Sequence, residues 1–241
     1  MRTNDAGRAQ PERVRILICQ ADAEAASADP ALAGVAETAA RLSGAELEYV
    51  GPRPGKQIDP LLETDRLVVV GQDGDLAAVA LRLMRRELLQ LVAVGYATGR
   101  RTPVTDLYSL PIGPPALRTA ILGDPDLVSL VRNDVGGVLV GRGVLAPVQG
   151  TVYVDDHRVL QGVAASLVVV PEAARGLEVT VVPRRLLGVV SRRATTARGR
   201  AVQIGTAPSV VISDGVRHDR PMERWTFYKH TEPLRLARGL V

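Results

Sequence analysis

The chain changes texture near Asp124-Pro125-Asp126, and that change limits the folds open to it. Before it, short apolar runs alternate with helix-forming stretches. RVRILIC, residues 13–19, reads as a first strand, and Asp29-Pro30 as the start of a helix that continues to Leu42 and is closed by Gly44. Leu47 to Val50 reads as a second strand, followed by a Pro/Gly-rich loop from Gly51 to Gly55. Arg66 to Val70 reads as a third strand, apolar enough to be central in a parallel sheet, and Leu91 to Val94 as a fourth. Leu76 to Glu87 and Pro115 to Leu122 read as helices. Strand–helix alternation of this kind predicts βαβ units. After the change, segments become short, valine-rich and separated by Gly, Pro or Asp: 137–140, 151–154, 166–170, 177–182, 201–204, 209–212 and 225–228. Their spacing of roughly ten residues predicts an antiparallel sandwich or barrel. The expected class is α/β followed by β: an α/β domain with a parallel sheet over residues 1–125, then a β-sandwich-like domain over 126–241.

Composition narrows the chemistry. Five Tyr, one Trp and one Phe leave the core to aliphatic side chains. A single cysteine, Cys19, excludes an internal disulfide and a cysteine-based zinc site, and it reads as a small buried side chain. His157, His218 and His230 are too scattered for a histidine metal site. Of 30 basic residues only Lys56 and Lys229 are lysines, the bias of a GC-rich genome, and the net charge is a modest +4. That charge suits an anionic ligand or a membrane surface; with no recognised motif beside it, it speaks against nucleic acid. The arginines at 184, 185, 192, 193, 198 and 200 read first as solvated strand and turn positions, and second as an anion patch. Trp225 and Phe227 fall on one strand face and Tyr228 on the other, which suits a local anchor better than a stacking platform. The N-terminal residues are polar and the apolar runs are short, so the expectation is a cytosolic protein that could at most touch a membrane peripherally.

RLVVVGQDGDLAAVALRLM, residues 66–84, is the stretch that carries most chemistry. A buried strand runs into a glycine turn and then a helix, with Asp75 as the expected N-cap. Glycines let a backbone approach a ligand, and the first helical turn offers free N–H groups to a phosphate. Without a ligand the same residues make an ordinary strand–helix turn. Asp214-Gly215 is likewise a strong hairpin dipeptide when taken alone.

The order of segments resembles the diacylglycerol kinase, sphingosine kinase and NAD kinase superfamily, on its lipid-kinase branch. Gly71-Gln72-Asp73-Gly74-Asp75 is similar to its G-G-D-G-T signature. AVQIGTAPSVVISDG, residues 201–215, resembles the stretch leading to its D-G-E segment, and PEAARGLEVTVV, residues 171–182, its P-x-A-x-x-x-D-G-x-L-D-V segment. Residues 225–236 resemble its closing strand pair. The P-x-G-T-x-N-D segment aligns with 95–99 and then Thr105-Asp106; Pro111-Ile112-Gly113 is a competing alignment. The resemblance implies phosphorylation of a lipid or small-molecule hydroxyl by ATP with Mg²⁺. It also implies Asp214 as general base and Gly71, Asp73, Gly74, Asp75, Thr98, Gly99 and Asp106 at the nucleotide.

The sequence departs from this pattern at Gln72 and Asp75, at Val216 in place of the glutamate, and at Cys19-Gln20-Ala21-Asp22 where a phosphate loop belongs; the asparagine after the fourth strand is missing. These changes point to an enzyme with impaired or altered chemistry. The alternative is a catalytically degenerate module that binds a ligand or a protein on the same fold.

Overall fold

Five consecutive buried residues, Arg66–Val70, form the centre of the first sheet in the computed structural model, which describes residues 13–41, 45–186, 189–190 and 194–239. Strands β1 (Val14–Ile18), β2 (Glu46–Tyr49), β3 (Arg66–Val70) and β4 (Ala93–Ala97) run parallel in the order β2-β1-β3-β4. Helices α1 (Ala23–Ala28), α2 (Ala33–Ala40) and α5 (Pro114–Leu122) bury Ala26, Val35, Ala36, Leu117 and Ala120 against Ile16, Ile18, Val68 and Val70 on one face. Helix α3 (Asp73–Arg85) buries Leu76, Val79 and Leu83 against Leu17, Leu67 and Val69 on the other. The short α4 (Pro103–Leu107) follows β4.

The helix expected from Asp29-Pro30 begins later, as α2 at Ala33, and α1, which the sequence reading did not include, precedes it. Helix α1 starts earlier, capped by the Asp22 carboxylate on the Ala25 N–H at 2.9 Å. The Asp29 side chain accepts from the Ala31 N–H, also at 2.9 Å, which fixes a turn between α1 and α2 where the sequence predicts a helix start. The expected closing residues Leu42 and Gly44 lie outside the described residues.

The second half contains β5 (Pro125–Val128), β6 (Val131–Asn133), β7 (Val138–Leu139), β8 (Gly143–Ala146), β9 (Val148–Val154), β10 (His157–Ala164), β11 (Ser166–Glu172), β12 (Gly176–Val182), β13 (Arg185–Leu186), β14 (Val189–Val190), β15 (Thr195–Gly199), β16 (Ala201–Ser213), β17 (Val216–Arg217), β18 (Met222–Lys229) and β19 (Leu234–Ala237). The two runs expected at 201–204 and 209–212 are a single strand, β16, whose register shifts between Gly205 and Ser209. Before the shift β16 pairs with β9 and β18; after it, with β8 and β17, and with β18 again at Ser209–Met222. One long strand therefore serves both layers of a β-sandwich-like structure, with Leu145, Val152, Leu167, Val179, Val202 and Phe227 in the core between them. Trp225 and Phe227 meet edge to face at 5.8 Å in that core, while Arg132 lies over Tyr228, so the aromatic trio anchors the strand.

Sheet membership does not follow a single cut in the chain. β5 and β19 both join the first sheet, in the order β4-β19-β5, with β19 parallel to β4. The closing pair read at 225–236 is thus divided between two sheets. The core on the α3 face is also continuous across the halves, since Val138, Val140, Leu234 and Leu236 pack with Leu83 and Val94. This seam holds the two halves in fixed relation and creates the cleft between them. Leu236→Ala deletes a fully buried side chain from it. Urea melts should show a loss of about 2–5 kcal/mol; a loss well below about 1 kcal/mol would mean that the returning strand contributes little.

Candidate functional site

In open α/β sheets, ligands bind beyond the carboxyl ends of the strands. At that edge β3 passes through Gly71-Gln72 into α3. The helix starts at Asp73 with Gln72 as N-cap, so Asp75 occupies the third helical position and is not the N-cap expected from the sequence. Its carboxylate reaches back to the Gln72 N–H at 2.7 Å and sideways to the Arg53 N–H at 2.7 Å. Burial pushes the Asp75 carboxyl up, and those two N–H groups pull it back. The negative charge that an open helix end would draw from a ligand is therefore supplied internally. Gly71 serves the same arrangement, because a Cβ there would lie 2.5 Å from an Asp75 oxygen. Cys19 is buried nearby with its thiol pushed well up, first by burial and then by Asp75, as suits an inert side chain.

Asp73 is pinned from two sides. It accepts from the Tyr96 hydroxyl at 2.9 Å and from the Val104 N–H in the first turn of α4 at 3.2 Å. Residues 95–97, aligned by resemblance with a loop, lie within β4, and their pairing with Val68–Val70 carries Tyr96 beneath the start of α3. Burial, with Asp73 next, pushes the Tyr96 phenol up, so it stays a protonated donor.

Asp214 and Gly215 form the two-residue turn between β16 and β17, with φ of +50° and +78°. These angles suit a type I′ hairpin, which Asp-Gly readily adopts. The turn also presents a carboxylate to the other half of the molecule. One Asp214 oxygen accepts from Val140 N–H at 2.9 Å; the other accepts from Gly141 N–H at 2.8 Å and Arg142 N–H at 2.9 Å. Burial pushes its pKa up to about 7, against the pull of these three donors, and the charge of Asp73 adds to the rise. Gly74 is the residue of α3 that meets this turn. A Cβ on Gly74 would lie 2.7 Å from a Val216 methyl and 3.3 Å from the Asp214 carbonyl oxygen, so the helix start can approach only as glycine.

A cleft of about 630 Å³ opens between the two halves, and Asp73, Gly74, Asp75 and Asp214 all line it. Gly71, Thr98, Gly99 and Asp106 are not in its lining. Thr98 is fully buried, Gly99 donates its N–H to the Ala31 carbonyl, and Asp106 is exposed beside Arg101 at 3.4 Å. The cleft is edged instead by the exposed arginines Arg53, Arg100, Arg101, Arg142 and Arg217, which sequence reasoning did not single out. They stand alone or in one pair, so no run of charge marks them; four lie in loops and Arg217 lies in the short strand β17. Arginine runs drew the attention to 184–200, where Arg198 pairs with Glu178 at 2.7 Å and Arg192 and Arg193 lie outside the described residues. Among the described residues no three His, Cys, Asp or Glu side chains cluster as metal ligands. The three cleft carboxylates are already taken by N–H and O–H donors, so they do not fit a metal held by the protein alone.

Asp214 also sets a pH dependence. Its folded pKa lies above the ordinary carboxylate value, so the folded state binds more protons than the unfolded state between that value and about 7. Its contribution to stability is full below the ordinary value and declines as pH rises towards 7. Asp214→Asn removes the titration. In urea melts, the stability of the native protein relative to the variant should fall by about 1–3 kcal/mol from pH 5 to pH 8. A relative stability that rises with pH would mean that the three N–H groups outweigh burial.

No protein-family model matches the chain, and no curated protein matches it significantly by sequence. Solved structures do match. A diacylglycerol kinase from Bacillus anthracis str. Sterne aligns at a TM-score of 0.64 and 13% identity over 95% of this chain and 97% of its own. An NAD kinase from Archaeoglobus fulgidus, crystallised in complex with ATP, aligns at 0.59 and 13% over 94% of each chain. Yeast NADH kinase complexed with NADH aligns at 0.54 and 10% over 96% of this chain and 85% of its own. With its parallel sheet, its β-sandwich-like second half and the cleft between them, the chain has the fold shared by diacylglycerol kinase and NAD kinase structures.

Proposed function

We propose that the chain is a nucleotide-dependent phosphotransferase of altered chemistry, moving a phosphoryl group from ATP to a hydroxyl of a lipid or small molecule. The observation that carries this reading is the meeting of Asp73 and Asp214, from opposite halves of the chain, in one cleft edged by five arginines. Phosphoryl transfer depends on positioning and on neutralising phosphate charge, which guanidinium groups do well. Asp214 suits a base near neutral pH, and the oxygen that accepts only the Val140 N–H keeps room for a proton. ATP bound to the Archaeoglobus kinase and NADH bound to the yeast kinase support a nucleotide ligand. Mg²⁺ brought with the ATP would supply further neutralisation of phosphate charge. The altered chemistry follows from Asp75: recognition of the nucleotide phosphates shifts from backbone N–H groups at the helix start to the side chains of Arg53, Arg100 and Arg101, which are less preorganised.

A second reading, a ligand-binding module without turnover, is favoured by the three N–H donors on Asp214, which also suit a purely structural carboxylate. Thermal melting separates the two readings. A hundredfold excess of MgATP over its Kd stabilises by about 2.7 kcal/mol, which should raise Tm by about 5 °C or more. Arg100→Gln/Arg101→Gln should remove most of that rise. No shift at millimolar ATP overturns the proposal. A shift without ADP formation, across a panel of lipid and small hydroxyl compounds, favours the module.

A further inference from the structure

The five cleft arginines divide between two walls. Arg53, Arg100 and Arg101 belong to loops at the edge of the first sheet, while Arg142 and Arg217 belong to the wall that carries Asp214. Arg142 and Asp214 clasp each other through their backbones: the Arg142 N–H donates to the Asp214 carboxylate at 2.9 Å, and the Asp214 N–H donates to the Arg142 carbonyl at 2.9 Å. Arg217 lies across the same hairpin, opposite Ile212. Both side chains are exposed, both line the cleft, and neither has an ion-pair or side-chain hydrogen-bond partner among the described residues. The apolar side chains beside them are Val144, Ile212 and Val216. Two cations that line the cleft from the same hairpin region as the proposed proton acceptor, without a partner among the described residues, fit a negative group on the molecule whose hydroxyl reacts there, since each charge-assisted hydrogen bond to phosphate is short and strong.

We infer that the acceptor is an anionic alcohol, with a phosphate group a few atoms from its reacting hydroxyl, and that Arg142 and Arg217 read that phosphate. The inference rests on the phosphotransferase reading above. In the step it describes, the acceptor oxygen bonds to the γ-phosphorus of ATP and gives its proton to Asp214. The bond from that phosphorus to the β,γ-bridging oxygen breaks, and its electron pair leaves with ADP. A free polyol phosphate and the headgroup of an anionic phospholipid share this chemistry.

Titrations in the presence of saturating AMP-PNP distinguish the sources. Glycerol 3-phosphate is compared with glycerol, and phosphatidylglycerol vesicles with phosphatidylcholine vesicles. The expected result is binding at least tenfold tighter for the anionic member of one pair. Arg142→Gln/Arg217→Gln should lose that preference while the Kd for AMP-PNP changes less than threefold, and Arg142→Lys/Arg217→Lys should keep part of it. Equal binding within both pairs, or an equal loss of AMP-PNP in the glutamine variant, overturns the inference. If AMP-PNP does not bind the native protein, the phosphotransferase reading fails by itself. The same titrations without nucleotide then decide whether the arginine pair selects anions.

Discussion

Three consecutive backbone N–H groups, from Val140 to Arg142, converge on the Asp214 carboxylate, and the geometry of the cleft depends on that contact. The contact ties the β16–β17 turn to the segment entering β8. It also holds Val216 against Gly74, so the turn of one half is set directly on the first helical turn of the other. A buried carboxylate without donors would be costly, and one with three is held firmly. Between burial, which favours the protonated acid, and the N–H groups, which favour the anion, Asp214 titrates close to neutral pH. A structural lock and a carboxylate that titrates near neutral pH are thus one arrangement.

The helix start opposite it differs from an open phosphate site. Asp75 folds back onto Gln72 and Arg53 and serves as an internal anion. Placed there without such donors, a carboxylate would repel a phosphate; here its charge is absorbed by two backbone N–H groups and by the helix dipole. Positive charge reappears as five side chains around the rim. The fold supplies the cleft, and the sequence has moved the source of its positive potential from backbone to side chain. Likeness of fold alone does not fix a reaction, and this relocation gives the proposed chemistry its particular form.

Much of this was legible in residues 66–84, where a β-branched strand, a glycine turn and an alanine- and leucine-rich helix leave few alternatives. The Asp-Gly pair at 214–215 was equally readable as a turn. That its side chain also enters the cleft was visible only through resemblance, because the partners at 140–142 are backbone groups and carry no sequence signature. Tyr96 escaped because β4 continues through residues that align with a loop, and its hydroxyl acts across the sheet on Asp73. The rim arginines escaped because their proximity is tertiary. The later start of α2 was hidden by Asp29, a residue type that suits a helix start and whose side chain instead closes the turn after α1.

The central claim is that the start of α3 and the Asp214 turn are two walls of one nucleotide site. A crystal structure of the protein with AMP-PNP tests it most directly. The account predicts the phosphate chain in the cleft beside the Gly74–Val216 contact, within hydrogen-bonding distance of at least two of Arg53, Arg100 and Arg101, with the three N–H bonds to Asp214 intact. Nucleotide bound away from this cleft, or an Asp214 turn that swings off Gly74 to admit it, would contradict the claim.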